Sequence, residues 1–210
     1  MTTIFRIVLL FGLVVLLGGR FAKAQTATAT TGTDASYQEL LERIQKQLTA
    51  SQFTETLPLV NELVTRTEAK YGLNHTNTAD ALHLLADVYE RVSDYTNATV
   101  SCARALAIRE KIYGPEHPST AASLNILALL YFSEGEFKKS APLIERSLKI
   151  YEKVFGPEHR STATTLNNLA NLYQTMGDYE KAAEMVQRSL KVREKVLGPE
   201  HPEPREVDRD

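Results

Sequence analysis

Along residues 71–197 the apolar positions fall at the three- and four-residue spacing of helices that turn one face to a core. Leu124, Leu127, Ala128 and Tyr131 stand at i, i+3, i+4 and i+7. The same stripe stands 42 residues later as Leu166, Leu169, Ala170 and Tyr173, and 42 residues earlier as Leu82, Leu85, Ala86 and Tyr89. A turn follows each: VSDY at 92–95, SEGEF at 133–137 and TMGDY at 175–179. Gly135 and Gly177 suit the left-handed backbone that ends a helix. A second helix then starts near Tyr95, Phe137 or Tyr179, carrying Ile144, Leu148 and Val154 in one copy and Val186, Leu190 and Val196 in the next. Small residues, Ala98, Ser140 and Ala182, mark where two helices must approach closely. Pro142 is expected within the first turn or so of its helix, where a missing N–H costs little.

The period is 42. Residues 113–154 and 155–196 align without a gap at 23 of 42 positions, and 71–112 matches 113–154 at 14 of 42. Chance would give about two or three, so the chain is a repeat array. A linker punctuates it: YGLNHTNTA from Tyr71, YGPEHPSTA from Tyr113, FGPEHRSTA from Phe155 and LGPEHPEPR from Leu197. Gly-Pro ends one helix, and Ser119-Thr120 or Ser161-Thr162 are candidate N-caps of the next.

Each linker carries a histidine: His75, His117, His159, His201. Histidine is a common metal ligand and proton carrier, but one repeat of a stacked array advances roughly 10 Å. Zinc ligands lie within about 2 Å of one point, so successive copies cannot share an ion, and turn or capping use is expected. Glu116/His117 and Glu158/His159 lack a nucleophile or third group at fixed spacing. No nucleophile-elbow, phosphate-loop or metalloprotease pattern occurs, and neither catalysis nor a cofactor is expected. Cys102, the one cysteine, falls in the register of Ile144 and Val186 and reads as a small buried hydrophobe.

The pattern L-x-x-L-A-x-x-Y, then G-x-[FY]-x-x-[AS], resembles the tetratricopeptide repeat, a helix–turn–helix unit. The 42-residue period, LNNLA at 166–170 and the GPEH linker are similar to the variety found in kinesin light chains. The resemblance implies an all-α, right-handed superhelical solenoid, with repeats at 71–112, 113–154 and 155–196 and a degenerate terminal one at 37–70. There Phe53 and TRTEAKYG match, but YQELLERIQKQL lacks the Leu-Ala-Tyr signature. It also implies that the first helices line a concave groove that holds peptide segments. On the wheel the groove-facing residues would be Thr164, Asn167, Asn168, Asn171 and Gln174 in the last repeat. Ala122, Asn125, Leu129 and Phe132 would take that place in the middle repeat, and Asp80, His83, Asp87 and Glu90 in the one before. Asparagines can both donate to and accept from an extended backbone; Asn125 and Asn167 match the kinesin-light-chain pattern most directly, and Leu129 and Phe132 offer an apolar seat.

Outside the array the chain changes character. Arg6, the apolar run Ile7–Leu17 and Ala22-Lys23-Ala24 have the anatomy of a cleavable secretory signal over 1–24, too short to span a bilayer. Residues 25–36 read as a flexible Thr/Ala-rich leader, and 197–210 as a charged tail. The outer face of the last helix, with Met185 and Val192, is expected to be partly bare. Charge is nearly balanced, 24 Lys+Arg against 26 Asp+Glu, giving no footprint for nucleic acid or an anionic membrane. The expectation is an exported, periplasmic or extracellular scaffold, in a bacterial envelope by preference. It would bind a peptide segment or protein partner in its groove, without stable membrane insertion once the signal is cleaved. The alternative is an assembly module whose copies self-associate through repeat stacking at the C-terminal repeat.

Overall fold

A computed structural model describes residues 32–197. The readings that fall on 1–31 and 198–210, including the export signal, most of the leader, His201 and the charged tail, lie outside the described residues. The chain divides into two compact units, Met1–Glu39 and Leu40–Asp210. The described residues form helices without strands: α1 (Gly32–Thr49), α2 (Phe53–Tyr71), α3 (Thr76–Arg91), α4 (Tyr95–Tyr113), α5 (Pro118–Ser133), α6 (Phe137–Phe155), α7 (Arg160–Met176) and α8 (Tyr179–Leu197). α1 starts at Gly32, inside the segment read as leader. Once a first turn exists, each further residue adds a hydrogen bond for one pair of dihedrals, so the helix runs back past its last apolar position.

Antiparallel hairpins α3–α4, α5–α6 and α7–α8 follow one another, and the second helix of each packs on the first helix of the next. Leu82, Leu124 and Leu166, one register position, are 0%, 0% and 1% exposed, a burial worth about 1.5–3 kcal/mol per side chain. Cores are shared between hairpins. One cluster joins Ala86 on α3, Cys102 and Leu106 on α4, Leu124 on α5 and Tyr151 on α6. The next joins Ala128, Ile144, Leu148, Leu166 and Met185 across α5 to α8. Ser140 sits where α5 and α6 touch and donates its hydroxyl to the carbonyl of Ala128 at 2.7 Å.

Every turn within a hairpin uses a left-handed residue at one register position: Gly135 and Gly177 as the sequence suggests, but Ser51 and Ser93 in the earlier copies. Pro142 is the sixth residue of α6, in the second turn rather than the first; its ring, like that of Pro58 on α2, is exposed.

Between hairpins, a four-part junction recurs three times. Gly72, Gly114 and Gly156 end the preceding helices at φ of 91°, 89° and 89°, a region costly for any side chain. The expectation that Ser119-Thr120 and Ser161-Thr162 supply the N-caps fails, because the N-caps are the histidines two residues ahead of each serine. His75, His117 and His159 accept, through Nδ1, the backbone N–H of Asn77, Ser119 and Ser161 at 3.1, 3.0 and 3.1 Å. Their rings lie against Tyr71, Tyr113 and Phe155, with centroids 4.9, 4.5 and 4.3 Å apart. Thr78, Thr120 and Thr162 donate back to the carbonyls of those glycines at 2.9, 2.8 and 2.9 Å. The threonine therefore ties the helix start to the preceding stop, and the imidazole caps it.

An ion-pair ladder runs along the second helices. Arg104 meets Glu68 at 2.6 Å and Arg146 meets Glu110 at 2.7 Å, and Arg188 pairs with Glu152 one step further on. Half-exposed pairs of this kind contribute little stability, about 0–1 kcal/mol each, so their regularity reports register more than strength.

The last helix corrects one expectation. Met185 and Val192 are buried, because Ala182, Met185, Ser189 and Val192 form the stripe that faces the array. The bare side is Tyr179, Val186 and Leu190, 70%, 50% and 45% exposed. Val154, expected on the core stripe of α6, is exposed, as is Ile112 one repeat earlier.

Replacing a capping side chain by alanine costs roughly 0.5–2 kcal/mol. His117→Ala should therefore lower the denaturation midpoint measurably, and His117→Asn, which restores an acceptor, should recover part of the loss. A midpoint unchanged by His117→Ala would remove the imidazole cap from the account.

Candidate functional site

The first helices, α3, α5 and α7, carry the residues expected to line a binding face. α5 and α7 touch directly, and an amide bond joins them: Asn168 donates Nδ2 to Oδ1 of Asn125 at 3.2 Å. Asn168 is buried and so braces one first helix against the next instead of standing open. Asn125 is half-buried, with one lone pair already engaged. Asn167 is half-buried, and Asn171 and Gln174 are exposed, beside the exposed Thr164. On α5, Leu129 and Phe132 are half-buried, and the ring of Phe132 lies 5.3 Å from that of Phe137, centroid to centroid. This part of the face offers amides on one helix and an apolar seat on its neighbour.

The α3 end differs. His83 shares the register of Asn125 and Asn167 but is buried, held in a polar knot centred on Arg109 of α4. One guanidinium nitrogen of Arg109 donates to His83 Nδ1 at 3.1 Å and to Ser123 Oγ at 2.9 Å, and the other reaches Asp80 Oδ1 at 2.7 Å. Arginine has no acceptor, so the His83 nitrogen facing it is unprotonated. Burial, with the Arg109 charge behind it, holds the imidazole well below the usual histidine range. Asp87 lies 3.6 Å from Arg91; burial raises its carboxyl above the ordinary value, and the arginine works in the opposite direction.

Cys102 Sγ is 4.0 Å from His83 Nε2, a Cys–His pair by distance. Its chemistry runs the wrong way for a nucleophile. Burial pushes the thiol up to about 12 while His83 is driven toward neutrality, so neither group is activated for proton transfer. The cluster is a satisfied polar core.

Arg109 is the residue that sequence reading misses. It occupies the position that Tyr151 fills one repeat later, and Tyr151 is buried. The register itself carries no signal, since its four copies are Thr67, Arg109, Tyr151 and Arg193; the available one is Asp80 and His83 on the facing helix, where the next repeat has Ala122 and Asn125.

The chain matches a tetratricopeptide repeat profile in three overlapping stretches, residues 85–153, 124–195 and 161–205. It belongs to the tetratricopeptide repeat family. Among solved structures it is similar to the TPR-like repeats of a Podosopora anserina kinesin light chain (26% identity, 79% of this chain and 78% of that one, TM-score 0.69). It is also similar in fold to BtubC from P. vanneervenii (21% identity, 93% and 82% coverage, TM-score 0.71). A third likeness is to a Rap protein complexed with Competence and Sporulation Factor (15% identity, 80% of this chain but 45% of that one, TM-score 0.64). No protein of curated function matches the sequence. Among the described residues, no helix is long and apolar enough to cross a membrane.

A histidine held below its ordinary value must be neutral in the fold, while the unfolded chain protonates it near 6.5. Stability from His83 is thus fully present above that pH and falls as the pH drops toward the folded-state value. His83→Asn, which keeps an acceptor for Arg109, should flatten the acid limb of a stability–pH curve. An acid limb of unchanged slope would show that His83 is not buried neutral.

Proposed function

We propose that this tetratricopeptide repeat protein is an exported, non-enzymatic scaffold that holds an extended peptide segment, or such a segment of a partner protein, across α5 and α7. The observation that carries the reading is the juxtaposition of open amides on α7 (Asn167, Asn171, Gln174) with the apolar seat of Leu129 and Phe132 on α5. An extended strand has unpaired N–H and C=O groups along its length, and side-chain amides supply both complements. A side chain every second or third residue then falls on the apolar seat. The two nearest candidates for catalysis, Cys102 and His83, have their acid–base properties shifted away from reactivity. Export rests on Arg6, the apolar run to Leu17 and the A-x-A site before Gln25. A bacterial envelope is the preferred setting.

End-to-end stacking of copies, the alternative expectation, would set α1 of one copy against the bare side of α8 in another. Along α1 the exposed residues include Glu42, Arg43, Gln45 and Lys46, a polar surface poorly matched to Val186 and Leu190.

The test is a 12-residue peptide library displayed on phage and panned against the protein, with affinities of the selected peptides measured by fluorescence anisotropy. Asn167→Ala with Asn171→Ala leaves the Asn125–Asn168 brace intact. It should weaken binding about tenfold, from two hydrogen bonds of roughly 0.5–1.5 kcal/mol each. Leu129→Asp should abolish binding without loss of helix content. Peptides that bind the double variant and Leu129→Asp as well as the parent would place the site elsewhere.

A further inference from the structure

We propose that the peptide segment held across α5 and α7 is an uncharged one, an apolar anchor flanked by polar, uncharged side chains. This rests on the peptide-binding role proposed above and adds the chemistry of the ligand: the face rejects charge of either sign.

Charge is sorted between the two helices of each hairpin. α5 has no charged residue among its 16, and α7 has one, Arg160, among its 17. Their hairpin partners carry many more: seven Lys, Arg, Asp or Glu along α6 and eight along α8. Burial does not account for the difference, because α7 has open positions. Thr164, Asn171, Gln174 and Thr175 are all exposed. An exposed helix face is ordinarily where charged residues collect, and this one bears hydroxyls and amides instead. Arg160 stands seven residues before Asn167, roughly 10 Å along the axis, and so lies outside the amide cluster.

The charges of α3, the first helix before α5, are spent within the chain. Asp80 is held by Arg109 at 2.7 Å and Asp87 faces Arg91 at 3.6 Å, so each carboxylate has its own cation. Arg91 also lies over the ring of Phe53, 5.6 Å from its centroid, and Glu90 interacts within the chain too. A lysine or glutamate of a ligand, brought against Leu129 and Phe132, would shed water and meet no counter-ion on α5. Desolvating an unpaired charge is costly, and the cost applies to both signs. An uncharged segment escapes it, because its backbone groups pair with the amides of Asn167, Asn171 and Gln174. Selectivity then comes from what the face excludes as much as from what it holds.

The composition of peptides selected from the phage library by the full chain tests the exclusion. Asp, Glu, Lys and Arg should all be depleted relative to the unselected library. A synthetic copy of the tightest binder should change affinity by less than about twofold between roughly 0.05 and 0.5 M NaCl, because salt screens only charge pairs. Lys or Glu at its anchor position, found by alanine scanning, should each weaken binding about tenfold or more. Asn171→Lys, at an exposed position, should turn selection toward Asp and Glu and make binding salt-dependent, with helix content unchanged. Selected peptides rich in one sign of charge, or a steep salt dependence with the parent, would overturn the proposal. If such peptides still lose affinity for the Asn167→Ala, Asn171→Ala double variant, the site across α5 and α7 stands without it. Peptides that bind that variant and Leu129→Asp as well as the parent would overturn both.

Discussion

A helical hairpin of this sequence has two apolar faces and can bury only one of them by itself. The stripe on its first helix closes against its own second helix; the second helix, through positions such as Cys102 and Ile144, closes only against the hairpin that follows. Most other features follow from that dependence. It fixes the 42-residue period, since each unit must present the same receiving surface, and it confines contacts to neighbours in the chain. It also leaves Val186 and Leu190 half-open on α8, the same positions that are covered in every earlier copy.

Stacking by itself would leave the angle between hairpins loose. The junction removes that freedom at small energetic cost. Glycine sets the stop, threonine ties the new helix to it, and histidine caps the helix while resting on the aromatic ring before the glycine. The Arg–Glu ladder on the second helices, one rung per repeat, holds the other side. With both sides fixed, the first helices meet closely enough for Asn168 to reach Asn125.

Periodicity made the array, the helix limits and the family legible without coordinates, because a strict repeat multiplies a weak local signal several times over. The same averaging hid the exceptions. Ser119 and Ser161 are good caps by residue type, yet histidine holds that place, since the ring gains a stacking partner that only the folded linker supplies. His83 and Asn168 lie on the wheel beside open residues but are buried by neighbours, Arg109 from α4 and Asn125 from α5. Met185 and Val192 differ from Val186 and Leu190 by a rotation of about 100° per residue, and only packing decides which side faces inward. Where one repeat's side chain meets another's, a helical wheel for a single helix has no information.

The central claim is that each hairpin is stabilised by its neighbours and little by anything further. Ile144, buried between α6 and α7, is the side chain to remove: Ile144→Ala should cost about 2–5 kcal/mol locally. Native-state hydrogen exchange resolved by helix then reads the outcome directly. The account predicts that amides of α5 through α8 lose protection while those of α3 keep nearly all of theirs. An equal loss of protection in every helix would contradict it, showing that the array unfolds as one indivisible unit.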